Sequence, residues 1–166
     1  HFELLRLIDE SNILLKKILL IKMQQEPNIL WNNMLSWLFI QQRDFDKAFI
    51  QEKAIFNRQP ESLDRIVELA NIAINENEEV VAKEILTYLI NTAQDLDTLL
   101  RTNDSLLQIE IKESSNKDYE KINEKFLILF NQYGTFSQTL DLQIAYAHFL
   151  GFYYNQTSQA TSFLEN

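Results

Sequence analysis

Two pairs of small residues recur along the chain at a fixed offset. Ser36 and Ala48 stand twelve residues apart, and Ala70 and Ala82 repeat that spacing 34 residues later. Two helices approach closely only where a side chain is small, so that larger neighbours interlock around the gap. Recurrence at this period predicts a helix-turn-helix unit copied along the chain, each copy burying one face against the next. The expected fold class is all-α: an α-solenoid of antiparallel helix pairs with about eight or nine helices.

Composition agrees with that expectation. Only two Gly and two Pro occur among 166 residues, while 46% are hydrophobic. So few breakers disfavour a turn-rich β architecture and suit helices joined by short polar connections. Leu4, Leu5, Leu7, Ile8, Leu14, Leu15, Ile18, Ile21 and Met23 follow three- and four-residue steps, which predicts one long helix ending before Pro27. Asn28 is the expected N-cap of a helix from Ile29 to Gln41, and Asp44 of one from Phe45 to Asn57, closed by Pro60. Ser62 is expected to cap a helix reaching Asn75, and Asn75-Glu76-Asn77-Glu78-Glu79 to turn into one ending near Thr92. Further helices are predicted over Leu96 to Lys112, over Tyr119 to Tyr133 with Gly134 at its C′ position, over Thr139 to Tyr154, and from Thr157.

The residues at these places resemble the tetratricopeptide repeat, a pair of helices patterned by Trp, Leu-Gly, Tyr, Ala, Phe and Pro. In the first full unit Leu35-Ser36, Phe39, Phe45, Ala48 and Pro60 follow that order, and Trp31 lies one place from the expected Trp. Leu69-Ala70, Ala82, Leu86 and Leu89 follow it in the second, Ile122 and Phe126 in the third, and Tyr146-Ala147, Leu150, Ala160 and Leu164 in the last. The departures are Glu52 in place of Phe, Ala73 in place of Tyr and Gln94 in place of Pro. Six extra residues separate Ala82 from Ile122, assigned to a longer first helix or a wider loop near Glu110 to Asn116, and one extra residue is assigned to the last connection. The expected organisation is one domain over residues 1–166, with units 1–27 (partial), 28–61, 62–95, 96–135 and 136–166.

The resemblance implies a right-handed superhelix with a concave groove lined by the first helix of each unit. Asn33, Trp37, Ile40 and Gln41 from one unit and Asp64, Val67, Asn71 and Asn75 from the next are the candidate groove residues, suited to a protein or peptide partner. Of the Lys and Asn set by which related modules clamp a terminal carboxylate, only Asn71 is present.

Catalytic chemistry has few candidates. With no Cys, thiolate catalysis, disulfides and zinc ribbons drop out, and the only histidines are His1 and His148. Neither has neighbours at metal-ligand spacing, no Gly-rich phosphate loop occurs, and the expectation is no catalytic residue, metal or cofactor. The clusters Glu76-Asn77-Glu78-Glu79 and Asp95-Leu96-Asp97 read as solvated turns. A net charge of −9 argues against nucleic acid, and the apolar run Ile13 to Ile21 is short and interrupted by Lys16 and Lys17, so it is no membrane span.

The expected function is a non-enzymatic scaffold or adaptor, with a recruiting or sensor part of a larger enzyme or signalling protein as the alternative. Self-association through the end faces Leu4 to Met23 and Ser158 to Leu164 is a third expectation. The chain opens without Met and stops within a helical pattern, which suggests a piece of a longer, soluble protein, with cytoplasm and periplasm both open.

Overall fold

The computed structural model describes residues 2–115 and 117–165, with side chains from residue 10 onward. His1, Asn116, Asn166 and the side chains of Leu4, Leu5, Leu7 and Ile8, all invoked above, lie outside the described set. Among the described residues all regular structure is helical: α1 (Phe2–Gln25), α2 (Ile29–Gln41), α3 (Phe45–Arg58), α4 (Asp64–Asn75), α5 (Glu79–Thr92), α6 (Leu96–Glu113), α7 (Tyr119–Tyr133), α8 (Leu140–His148) and α9 (Thr157–Leu164). The chain divides into two compact units, residues 1–85 and residues 86–166.

In the first unit Asn28 caps α2 as expected, its side chain accepting from the Leu30 amide at 2.9 Å. Asn32 near the start of α2 bonds Gln51 and Arg58 toward the end of α3, so the two helices run antiparallel. The turn between them is a Schellman motif. The Asp44 amide reaches back to the Phe39 carbonyl at 2.9 Å and the Arg43 amide to Ile40 at 3.0 Å, around a left-handed Arg43 with φ 59°. After α4 the same turn recurs 34 residues on: Glu78 to Ala73 at 2.9 Å, Asn77 to Ile74 at 3.0 Å, and Asn77 at φ 59°. Arg43 then links the two turns, its guanidinium lying 2.5 Å from the Glu76 carboxylate and 3.2 Å from the Glu76 carbonyl oxygen.

Burial follows the same period. Asn32, Leu35, Ser36 and Phe39 are buried on α2, and their counterparts Ile66, Leu69, Ala70 and Ala73 on α4. Ala48 and Ala82 are both wholly inaccessible.

Two caps differ from expectation. Asp44 makes no side-chain cap; it is the residue after the left-handed turn of α2, and its carboxylate accepts from Lys47 at 2.9 Å instead. The cap position of α4 is Leu63 rather than Ser62, whose hydroxyl accepts from the Asp64 amide at 3.0 Å.

The second unit carries the irregularities. Helix α6 has 18 residues against 13 in α2 and 12 in α4, and the connection after it runs over 114–118 against 42–44 and 76–78, so the first helix and the loop that follows are both longer. Asp95 caps it by accepting from the Thr98 amide at 2.8 Å, and that bond holds its carboxyl below the usual range. Ile122 stands where Ala48 and Ala82 stand in their units, and α6 and α7 pack less closely than α2 and α3. Aromatic rings fill the space: Phe126 lies 5.0 Å from Tyr146 and 5.7 Å from Phe149, centre to centre. Gly134 closes α7 at φ 81°, where a Cβ would meet the Phe136 ring at 2.9 Å.

The expected helix over Thr139 to Tyr154 is broken into a 3₁₀ turn (Ser137–Thr139), α8 and a π-turn (Phe149–Tyr153). The single extra residue of the last unit is thus held within a helix end, not in the connection. The wider turn lets Phe149, Leu150 and Tyr154 all join the core. A left-handed residue follows here too, Asn155 at φ 56°, two places before α9 as Arg43 and Asn77 are before α3 and α5.

Ala48→Leu or Ala82→Leu is expected to lower unfolding free energy by about 1–3 kcal/mol through overpacking. Urea denaturation checks this, and an unchanged midpoint in either variant would remove that residue from the helix contact.

Candidate functional site

Three helices of the first unit converge on one buried carboxylate. Glu52, on the inward face of α3, is 3% exposed. Burying a charge is costly unless donors replace the lost water, and Glu52 has three. The Ser36 hydroxyl of α2 donates to Oε1, and Arg65 in the first turn of α4 donates through Nε and a terminal nitrogen, each at 2.7 Å. The bidentate bond pushes the Arg65 guanidinium further up from an already high value, so it stays charged. A second polar layer adjoins: Asn32 donates to Gln51 at 2.9 Å and accepts from Arg58.

Beside this network lies a cavity of about 300 Å³ between the N-terminal ends of α2 and α4 and the C-terminal end of α3. Ile29, Ile55, Phe56 and Ile66 supply apolar wall, and Glu61 and Asp64 stand at its edge with Arg65. Asn33 also lines it, and the Asn33 side-chain oxygen is buried with no hydrogen-bond partner.

Of the eight candidate groove residues, Asn33 and Asp64 meet at this cavity; Trp37, Ile40, Gln41, Val67, Asn71 and Asn75 lie outside it. Trp37 is 57% exposed, Gln41, Asn71 and Asn75 are exposed, and Ile40 and Val67 are half-buried. Leu30, Met34 and Trp37 form an exposed stripe along α2. His148 is exposed and its ring sits 4.7 Å from that of Phe152. Among the described residues no group of three His, Cys, Asp or Glu could hold a metal ion, and no helix is long and apolar enough to cross a membrane. Glu76 and Glu78 of the first acidic cluster face Arg43.

No protein-family model, curated protein or solved structure matches the chain.

The Glu52–Arg65 pair is what sequence reasoning missed. Its signal was present: an acid at a helix position where the unit calls for an apolar side chain requires a donor nearby in space. Thirty-four residues on, the places of Ser36 and Glu52 are taken by Ala70 and Leu86, an apolar solution to the same position. The double variant Ser36→Ala, Glu52→Leu is therefore expected to be at least as stable as the natural chain, because apolar replacement of a buried polar cluster is often neutral or stabilising. Arg65→Ala, which strands Glu52, is expected to cost about 2 kcal/mol. Guanidinium denaturation checks both; the reverse ranking would contradict this account of the cluster.

Proposed function

We propose that this chain is a tetratricopeptide-like helical-repeat module that binds a protein or peptide along the first helices of its units and carries out no catalysis. The observation that carries the reading is the recurrence of one left-handed turn at Arg43 and Asn77, 34 residues apart, with Asn32, Leu35, Ser36, Phe39, Ala48 and Glu52 buried in one helix pair and Ile66, Leu69, Ala70, Ala73, Ala82 and Leu86 at the same offset in the next. Repeats of this kind extend a surface by addition, and such a surface suits an extended or helical segment better than a small substrate.

The exposed stripe of Leu30, Met34 and Trp37 supports placing the contact on α2. Trp is the side chain that most often anchors an interface, and Trp37 combines a large apolar area with a free approach. A second reading, self-association, draws support from α1, where Ile13 and Leu14 are 62% and 59% exposed.

Partners captured on the natural chain and identified by mass spectrometry are expected to bind Trp37→Ala more than about tenfold more weakly, with the melting temperature unchanged. Equal binding by the variant would take Trp37 out of the contact surface.

A further inference from the structure

The cavity beside Glu52 has a charge balance of its own. Arg65 is the only cation among its described lining residues, and its guanidinium is committed to Glu52 by two hydrogen bonds, so those two charges cancel. Glu61 and Asp64 remain at the edge, and neither is ion-paired within the described residues. The wall behind them is apolar, formed by Ile55, Phe56 and Ile66. Asn33 also lines the cavity, and its side-chain oxygen is buried and accepts nothing.

We infer that the cavity takes an unbranched side chain ending in a cation, a lysine or arginine of the bound peptide. The methylene stem would lie along Ile55, Phe56 and Ile66, and the head would donate to Glu61 and Asp64. About 300 Å³ is at the small end for a ligand pocket and fits one long side chain. Asn33 and Trp37 lie one turn apart on α2, so a segment anchored here continues naturally toward the exposed Trp37. An anionic ligand would find Arg65 already engaged and two carboxylates opposing it. The inference rests on the peptide-binding reading and names one residue class its ligand must contain.

The test uses the full 166-residue chain and four probes without backbone charge: the N-acetyl amides of arginine, lysine, norleucine and glutamate. Amide shifts in a nitrogen-proton NMR spectrum are followed at Asn33, Ile55, Phe56 and Ile66. Saturable shifts there with the arginine or lysine probe are expected, weakened about fivefold in the double variant Glu61→Gln, Asp64→Asn and reduced by added salt. Circular dichroism confirms that these two surface changes leave the fold intact. Equal binding of norleucine, preferred binding of glutamate, no response to either cation, or shifts that survive the double variant would each overturn the assignment. Its failure is separable from failure of the binding surface as a whole: a captured partner that needs Trp37 while the cavity ignores cations removes only the cationic anchor, and the converse removes only the α2 stripe.

Discussion

In three of the four helix pairs from α2 onward, a left-handed residue two places before the second helix reverses the chain. Arg43, Asn77 and Asn155 each hold that conformation, which costs a residue with a Cβ about 1–2 kcal/mol. At Arg43 and Asn77 the cost is offset by amides that close back onto the preceding helix. The turn is the same at both places, and Ala48 and Glu52 of α3 and Ala82 and Leu86 of α5 are buried at the same offset from it. The small residues Ser36, Ala48, Ala70 and Ala82 are all buried beside those turns, and between α2 and α3 the absence of bulk accompanies close packing.

Where the unit departs from its pattern, a specific compensation stands nearby. Glu52 occupies a buried place and is matched by Ser36 and Arg65, so a polar cluster joins α2, α3 and α4 where the next unit has Ala70 and Leu86. Ile122 stands in place of the small residue in the helix pair α6 and α7, and rings of Phe126, Tyr146 and Phe149 occupy the wider space. An extra residue before α9 is taken up by a π-turn, leaving the left-handed Asn155 in its place. The longer α6 is followed by a longer connection as well, residues 114–118 against 42–44 and 76–78, so the insertion is shared between a helix and the turn after it.

Much of this was legible in the sequence because helix-forming patterns are local. Asn28 as a cap, Gly134 as a terminator, the ends of α2 and α7 and the start of α9 follow from side chains acting on their own backbone. The 34-residue period was legible because small residues are scarce at buried helix contacts and here recur in pairs. Three features were not. Arg43 has no intrinsic preference for a left-handed turn, so neither that turn nor the resulting loss of Asp44 as a cap could be read from residue type. The π-turn depends on how Phe149 and Tyr154 meet Tyr119, a contact between distant positions. The cavity is bounded by three helices, so its Asn33 and Asp64 were found as members of a groove while Glu52 and Arg65 were not.

The most direct test of the recurring turn replaces Asn77 and, separately, Asn155 by Gly and by Val, and measures unfolding free energy by urea denaturation. The account predicts the same ranking at both places, with Gly at least as stable as Asn and Val lower by about 1–2 kcal/mol, because a β-branched side chain is excluded from positive φ. Equal stability of the Gly and Val variants at either position would contradict a left-handed turn there, and with it the common geometry on which the repeat rests.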